Sequence, residues 1–362
     1  MKALKPAALW LHRQLGLYLS LFMIVLGLTG ALMVFKPEIQ RLGTPVTASV
    51  VGAPAYQALL DAVRTRYPHA TINLRFAADP GAPVRAFVRV GEEKRVMTLV
   101  ASSGAVLNDA GSGDGFFPWL LALHEALLLG EEGKTAVGII GIGLLLCVLA
   151  GLIFWWPRRW RGALRLHPDT GSLSWHKSLH RSAGALAAVF LLMSALTGAL
   201  LVFSKPVQGW IDQAAGERAA PRLKASPGKA LPLSELVASA DRALPGGRLV
   251  DIRIPAKPGE PWQFRKKLPG EMHPNGLSVV QIDPANGHVL RSEPIDRAPA
   301  GRRLTQWVYP LHTGELGGLL LRCLMFAGAL AGIYFGATGL WMWWARRRRK
   351  TASLAGQQHV AA

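Results

Sequence analysis

The sequence predicts a membrane α-helical protein, with four transmembrane helices in two tandem repeats and two small α+β modules outside the membrane. The first observation behind this fold class is hydropathy. Four stretches contain no Asp, Glu, Lys or Arg, and each is long enough for a helix to cross about 30 Å of hydrocarbon. They are residues 14–35, 135–156, 182–204 and 323–345.

The second observation is an internal repeat. Leu-His-Arg at 11–13 and Leu-Thr-Gly-Ala-Leu at 28–32 recur at 179–181 and 196–200. Leu-His at 123–124 and Gly-Leu-x-x-Trp-Trp-x-Arg-Arg at 151–159 recur at 311–312 and 339–347. Such repetition predicts a duplicated fold with histidines at equivalent positions in the two copies.

The elements follow one another in a regular order. Because the first apolar stretch is longer than a signal-peptide core and recurs inside the chain, we expect it to be retained as a span. The predicted segments are transmembrane helix 1 with its N-terminus (1–39), outer module 1 (40–117), an outer histidine segment with helix 2 (118–157), a basic loop (158–178), helix 3 (179–205), outer module 2 (206–305), a second outer histidine segment with helix 4 (306–345), and a basic tail (346–362).

Basic residues predict the orientation, because Lys and Arg concentrate on the cytoplasmic side of a membrane protein. Three clusters fall on one side of a four-span topology, so both termini are expected in the cytoplasm. The net charge of +19 is then explained by topology, and nucleic-acid binding is disfavoured because no soluble surface collects these residues. The clusters are Lys2, Lys5 and Arg13; Arg158, Arg159, Arg161, Arg165, Lys177 and Arg181; and Arg346, Arg347, Arg348, Arg349 and Lys350.

Both outer modules are predicted to be one helix followed by an antiparallel meander. Residues 56–67 and 233–244 have helical apolar spacing and end before a proline. Extended runs follow at 71–76, 84–90 and 96–107 in the first module, and at 249–254, 262–267 and 277–290 in the second. Each module is small, so its apolar face is expected to pack either on its twin or on the span ends.

The repeat sorts four of the ten histidines into two pairs. A parallel arrangement of the copies brings His12 opposite His180 at the inner face and His124 opposite His312 at the outer face. Two opposed imidazoles suit the axial positions of a haem, whereas zinc normally takes three or four protein ligands. Small residues in spans 1 and 3, such as Gly30 and Gly198, leave room for haem, but they equally allow close helix packing.

Other interpretations remain open for single residues. His12 or His180 taken alone is better explained as a helix-end or interfacial residue, whereas their repetition as a pair favours ligands. His176, four residues before His180, is a reserve ligand on the same helix face, although the first copy has Ala8 there. Arg13 and Arg181 are possible partners for haem propionates, and topology explains them as well.

The outer pair poses a problem of length. A straight helix from His124 to Trp156 would span about 48 Å, which is longer than the hydrocarbon core. We therefore expect His124 and His312 at the outer surface or on a segment that folds back.

Cysteine usage excludes several cofactors. The chain has two cysteines, Cys147 and Cys323, both in apolar stretches, so no disulfide framework is expected. No Cys-x-x-Cys-His sequence is present for covalent c-type haem, and two thiolates are too few for a cysteine-ligated iron–sulfur cluster.

These doubled motifs, with the predicted outer modules, resemble the PepSY-associated transmembrane family over about residues 8–349. The resemblance implies PepSY-like modules in the periplasm and a multi-pass protein of the bacterial inner membrane. It also implies two b-type haems and a haem-dependent ferric-siderophore reductase that passes electrons outward to a periplasmic ferric siderophore. Some relatives carry a flavin reductase domain after the last span; here a short tail follows, so we expect a separate electron donor, either a cytoplasmic reductase or a membrane quinol. The alternative is a non-enzymatic membrane protein with structural histidines, either a siderophore- or peptide-binding protein or a transport accessory protein.

Overall fold

A computed structural model describes residues 4–43, 53–79, 81–157, 159–167, 172–218 and 220–360. Lys2 and Arg158, two of the basic residues used to predict orientation, lie outside the described residues. The helices are α1 Leu4–Val34, α2 Lys36–Gly43, α3 Tyr56–Arg66, α4 Phe116–Ala126, α5 Gly130–Trp155, α6 Ser172–Val202, α7 Ser204–Ala214, α8 Leu233–Ala243, α9 Ala300–Thr305, α10 Val308–Thr313 and α11 Gly318–Val360. The strands are β1 Thr71–Arg75, β2 Val84–Val90, β3 Glu93–Leu99, β4 Val106–Gly111, β5 Arg248–Ile254, β6 Trp262–Lys267, β7 Ser278–Ile282 and β8 Val289–Glu293.

The chain forms two compact units. The helical unit comprises Met1–Glu38, Trp119–Ser204 and Leu311–Ala362, and the sheet unit comprises Ile39–Pro118 and Lys205–Pro310. Each unit is therefore assembled from separate parts of the chain.

The helical unit contains four helices that are long and apolar enough to cross a membrane: Leu4–Val34, Gly130–Trp155, Ser172–Val202 and Glu315–Arg348. They pack in a closed ring, with α1 against α5 and α11, and α6 against α5 and α11. The predicted α-helical membrane protein is confirmed at this level.

Glycines allow the helices of this ring to approach closely. A Cβ placed on Gly27 of α1 would lie 2.8 Å from the backbone oxygen of Ala329, and one on Gly336 of α11 would lie 2.7 Å from the backbone oxygen of Ser20. Small residues at such crossings let helix backbones pack tightly in a bilayer.

Two of the long helices extend beyond the predicted spans. α6 begins at Ser172, within the segment predicted to be a cytoplasmic loop, because Leu173 and Ser178 are buried and continue its packed face. α11 continues to Val360 through the predicted basic tail, whose residues include no proline to stop it.

The helical conformation is interrupted between α4 and α5. The sequence predicted that this segment lies at the outer surface or folds back. Leu127, Leu128 and Gly130 have positive φ values of 49°, 64° and 64°, and these values end one helix before the next begins. The break separates His124 from α5, so His124 need not continue the axis of that span.

The sheet unit is built on one antiparallel sheet of eight strands, in the order β4-β3-β2-β1-β5-β6-β7-β8. The predicted helix and meander are present in both outer segments, as α3 with β1–β4 and α8 with β5–β8. The two meanders join where β1 pairs with β5, in a register that places Leu74 opposite Ile252.

A single core lies between the sheet and its two helices. Leu59 and Leu60 of α3, with Leu236 of α8, are buried against inward-facing residues of the strands such as Ile72 and Phe264. The two modules therefore pack on each other through this core, as one of the two expectations had it.

Candidate functional site

The inner histidine pair joins α1 to α6. The ring centres of His12 and His180 lie 6.2 Å apart, with an interplanar angle of 75°. His12 Nδ1 contacts the backbone oxygen of Cys147 on α5 at 2.9 Å, and His180 Nδ1 contacts Thr338 Oγ1 on α11 at 3.2 Å. The ring of His12 is thus held by α5, and the ring of His180 is held by α11.

The outer pair joins α4 to α10. The ring centres of His124 and His312 lie 6.3 Å apart, with an interplanar angle of 49°. His124 Nδ1 lies 2.8 Å from Thr29 Oγ1, and His312 Nδ1 lies 2.9 Å from Thr197 Oγ1. Both threonines belong to the doubled Leu-Thr-Gly-Ala-Leu sequence.

The glycine after each of these threonines makes room for a histidine ring. A Cβ on Gly30 would lie 3.3 Å from His124 Cε1, and a Cβ on Gly198 would lie 3.2 Å from His312 Cε1. The sequence left haem space and helix packing as alternative roles for the small residues. In the structure, Gly27 lies against another helix backbone, as expected for packing, whereas Gly30 and Gly198 leave room for an imidazole ring.

The Nδ1 partners fix the tautomer of each ring. A carbonyl oxygen only accepts, so His12 Nδ1 carries the hydrogen that it donates to Cys147. The hydroxyls of Thr29, Thr197 and Thr338 donate their own hydrogen to the backbone oxygens of Val25, Met193 and Tyr334, so each accepts from a histidine Nδ1. In all four rings, Nε2 is left with a free lone pair.

Burial favours the neutral form of the two outer rings. Removal from water lowers the pKa of His124, and it lowers the pKa of His312 to about 4, with the proximity of His124 as a second cause. Neutral imidazole is the form that ligates a metal.

The ring separations match the span of two imidazoles on one metal ion. Imidazole atoms lie about 1.1–1.2 Å from the ring centre, because the ring bonds are about 1.3–1.4 Å long. With a metal–nitrogen bond of about 2.0–2.1 Å, two opposed rings have centres about 6.2–6.6 Å apart. The separations of 6.2 and 6.3 Å fall in this range. Each pair is therefore spaced so that one metal ion could be bound by both of its imidazoles.

A match to the PepSY-associated TM region covers residues 9–346. The chain belongs to the PepSY-associated transmembrane family. The family predicted from the doubled motifs is thereby confirmed, and the match extends across both units. This PepSY-family chain is also similar to the uncharacterized protein PA4219 of Pseudomonas aeruginosa, with 38% identity over 81 residues. That alignment covers 22% of this chain and 20% of the relative.

His176, the reserve ligand of this PepSY-family chain, makes its contacts outside the two pairs. His176 packs on Trp341 with ring centres 4.6 Å apart, and its Nδ1 donates to the Ser172 backbone oxygen at 2.7 Å. Both rings line a surface cavity of about 380 Å³. His176 is thus engaged by its own helix and by α11.

The two arginines predicted as propionate partners, Arg13 and Arg181, differ in their contacts. Arg13 is exposed, and Arg181 Nη2 donates to the backbone oxygen of Arg165 at 2.9 Å. Arg346, which sequence reasoning assigned only to topology, interacts electrostatically with both His180 and Arg13. Its buried Nε has no hydrogen-bond partner among the described residues.

Sequence reasoning also missed the residues that hold the rings. Thr29 and Thr197 had a signal, because they are repeated together with Gly30 and Gly198 at equivalent positions. Cys147 and Thr338 had none, because Phe335 and Ala150 occupy their matching positions in the other copy.

Proposed function

We propose that this chain is a di-haem b electron-transfer protein of the bacterial inner membrane. His12 and His180 would hold the inner haem, and His124 and His312 the outer one. Both termini would be cytoplasmic and the sheet unit periplasmic, as the distribution of basic residues suggests. The observation that carries the proposal is the pair of ring separations, 6.2 and 6.3 Å, with Nδ1 anchored in all four rings.

The chemistry of the donor set favours haem among metal centres. Each pair offers two imidazoles with Nδ1 already engaged, and haem would supply the other ligands of the iron from its porphyrin. When bound in this way, haem supplies one-electron Fe(III)/Fe(II) chemistry at a potential set by its axial ligands and surroundings.

The residues of the chain would orient these ligands before the cofactor binds. An Nδ1 hydrogen bond fixes both the tautomer and the ring orientation of a ligating histidine and increases its basicity. The 17 residues from His12 to Thr29 rise about 26 Å along α1, so the two pairs occupy different depths of the helical unit. Two centres at different depths would shorten each electron-transfer step across the hydrocarbon.

The proposed acceptor is a ferric siderophore on the periplasmic side, as in the ferric reductases that the family includes. Electrons would enter from a separate donor at the cytoplasmic side, either a cytoplasmic reductase or a membrane quinol. Reduction of Fe(III) to Fe(II) by one electron would weaken the hold of hard oxygen ligands and release the metal.

Absorption spectra of the detergent-purified protein test the proposal. We expect the low-spin bis-histidine b-haem spectrum after dithionite reduction, with two haems per chain by pyridine haemochrome analysis. His12→Ala and His124→Ala should each remove one haem, and the two variants should lose different spectral components.

His176→Ala is the matched control, because it removes a histidine from α6 that belongs to neither pair. It should retain both haems. Colourless protein from haem-sufficient cells would contradict the proposal and favour the accessory-protein alternative. An unchanged haem content in His12→Ala would contradict the ligand assignment.

A further inference from the structure

One face of the eight-stranded sheet is turned away from the two helices and is strongly basic. Side chains alternate across a strand, so the residues between the buried Ile72, Leu74, Ala86 and Ile252 lie on this second face. The register aligns Arg85, Arg75, Asp251 and Arg265 in one row across β2, β1, β5 and β6. The next row places Phe87, Asn73 and Arg253 side by side. We call Arg75, Arg85, Arg253 and Arg265 the arginine face.

The arginine face has a single carboxylate at its centre. Asp251 is 1% exposed, and Arg265 Nη1 lies 3.2 Å from its Oδ2. Neither carboxylate oxygen has a hydrogen bond of acceptable geometry within the described residues. The three arginines of this row and Arg253 of the next outnumber this buried carboxylate. Glu293, at the β8 end of the same row, is paired with Arg302.

The three outer arginines of this face are accessible. Arg75, Arg85 and Arg253 are exposed, whereas Phe87 between them is half-buried. The guanidinium carbons of Arg75 and Arg85 lie 4.8 and 5.4 Å from the centre of the Phe87 ring, which holds both side chains against the sheet. Packing on an aromatic ring restricts these side chains before a ligand binds, so less entropy is lost on binding.

A second buried acceptor lies beside this centre. Asn73 Oδ1 is buried and has no hydrogen-bond partner in the part of the chain that the structure describes. Asn73 is opposite both Phe87 and Arg253 in the sheet register. Asn73 Oδ1 and the Asp251 carboxylate only accept hydrogen bonds, so the arginine donors beside them, and not the oxygens of a ligand, are their chemical complement.

We propose that the arginine face binds a compact anionic ferric chelate, one whose iron is held by catecholate or carboxylate oxygens. This inference rests on the proposed function and specifies the charge class of its substrate. Guanidinium groups pair with such oxygens through charge-assisted hydrogen bonds, and the positive excess disfavours cationic chelates. Neighbouring strands are about 4.8 Å apart, so the row from Arg85 to Arg265 spans about 14 Å, which is the scale of one metal complex.

The side chains of these rows fit a soluble chelate better than a lipid surface. Peripheral membrane surfaces combine basic residues with protruding apolar side chains that insert between lipids. Val96, Phe87 and Val279 are the large apolar residues of the two rows, and none of them is exposed.

Binding of gallium(III) chelates to the full chain in zwitterionic nanodiscs tests the inference, because gallium(III) has the charge of iron(III) and is not reduced. Isothermal titration should detect an anionic gallium tris-catecholate and no comparable binding of a gallium tris-hydroxamate made cationic by a pendant ammonium group. The double variant Arg75→Gln, Arg85→Gln should weaken binding of the anionic chelate by about 10-fold or more, since it removes two charged donors. The double variant Lys229→Gln, Arg242→Gln loses the same charge from exposed positions elsewhere in the sheet unit and should bind normally.

Several results would overturn the inference. One is equal weakening in both double variants, and another is equal affinity for the cationic chelate. A third is loss of binding when phosphatidylglycerol is added to the nanodisc, because this result would show that the arginine face binds lipid. Arg253→Gln provides a second variant on another strand if the first pair of substitutions disturbs folding, and it should also weaken binding. Gallium binding needs no haem, so the two ideas can fail separately. Colourless protein that binds the chelate would contradict only the proposed function. Haem-loaded protein that does not bind the chelate would contradict only this inference.

Discussion

At the residue scale, the hydrogen-bond acceptor at Nδ1 sets the tautomer of each of the four paired histidines. Three of them use a threonine whose own hydrogen is already donated within its helix, and the fourth uses a backbone carbonyl. Neither kind of acceptor titrates, so the tautomer does not depend on a nearby acid. The free lone pair on Nε2 is thus a consequence of helix geometry, since a threonine hydroxyl bonded to the carbonyl four residues earlier cannot also donate to the ring.

We predict that Thr29→Val and Thr197→Val weaken haem binding at the outer pair. Valine keeps the shape of threonine but removes the acceptor, so the ring loses its orientation and part of its basicity. Loss of such a partner typically lowers metal affinity about 10- to 100-fold. The measurements are haem-to-protein ratio and redox titration, in which the inner component should keep its midpoint.

Thr135→Val is the matched control, because Thr135 Oγ1 donates to the Glu131 backbone oxygen within α5 and does not hold a paired histidine. It should leave both haems in place. Equal haem loss in Thr135→Val and Thr29→Val would show that the effect comes from the helix and not from the ring.

His273 in the sheet unit gives a prediction about pH. Its ring packs on Tyr309 with centres 5.0 Å apart; burial, followed by Arg265 and Lys267, lowers its pKa to about 4. The unfolded value is about 6.5, so the folded state resists protonation. The free energy of unfolding is therefore highest above a pH of about 6.5, where the ring is neutral in both states. It falls as the pH decreases towards 4, because only the unfolded state then binds a proton.

Between pH 7 and pH 5, we therefore expect the free energy of unfolding of the sheet unit to fall by about 1 kcal/mol because of His273. This value is smaller than the full pKa shift would give, because solvent screens the partly exposed ring. Hydrogen exchange of the β6 and β7 amides should report this loss, and His273→Gln should remove it. His288→Gln, at an exposed position beside β8, is the control. A pH dependence unchanged in His273→Gln would contradict the assignment.

At the scale of the element, α1 serves two purposes on successive turns. Gly27 allows the backbone of α11 to approach, and Gly30 admits the ring of His124. The same class of residue therefore supports helix packing at one position and admits a histidine ring at another. Composition alone cannot distinguish these roles, because both require only the absence of a side chain.

We predict that alanine at these two glycines gives different defects. Gly27→Ala places a Cβ 2.8 Å from a backbone oxygen that cannot move aside, so it should lower the thermal midpoint of the helical unit by several degrees. Gly30→Ala meets His124 Cε1 at 3.3 Å, so it should shift the outer haem spectrum with a smaller loss of stability. Thermal unfolding followed by circular dichroism and by haem absorbance separates the two effects.

Gly209→Ala is the control for the substitution itself. Gly209 lies within α7, and a methyl group added there would point into open space, so alanine should be neutral or stabilise that helix by up to about 1 kcal/mol. If Gly27→Ala were as stable as Gly209→Ala, the close crossing of α1 and α11 would be contradicted.

Local patterns predicted the elements better than their assembly. Hydropathy located the four long helices, and apolar spacing before Pro68 and Pro245 located α3 and α8. The pairing of β1 with β5 joins residues about 180 positions apart, and nothing in either strand specifies the other as a partner. The break after α4 was expected from length alone, whereas its position at Leu127 and Leu128 depends on a backbone conformation that leucine seldom adopts.

The candidate site follows the same division. The four paired histidines were found from repetition, because a matched position is visible in the sequence. The partners of the inner pair were not, since Cys147 contributes a backbone oxygen that any residue would supply. An exposed side chain such as Arg75 gives no sequence signal for a shared face until strand register aligns it with Asp251.

At the scale of the whole molecule, the first and second parts of the chain contribute equally to each feature. Each histidine pair takes one ring from residues before 158 and one from residues after 171. The eight-stranded sheet takes four strands from each part, and the arginine face crosses the junction between them. Neither part alone can complete a pair, so a metal bound at either pair would tie the two parts together.

We predict that both pairs are required in series for electrons to cross a membrane. If the inner and outer pairs hold successive centres, loss of either leaves one step spanning most of the hydrocarbon. His12→Ala and His124→Ala should therefore reduce transfer to the same low level, although they remove different haems. The measurement uses proteoliposomes with ferricyanide trapped inside and dithionite added outside, and the loss of ferricyanide absorbance gives the rate. His176→Ala should transfer electrons at the unsubstituted rate, and empty liposomes give the background. Transfer at the unsubstituted rate by either His12→Ala or His124→Ala would show that the remaining pair suffices and that the two pairs do not act in series.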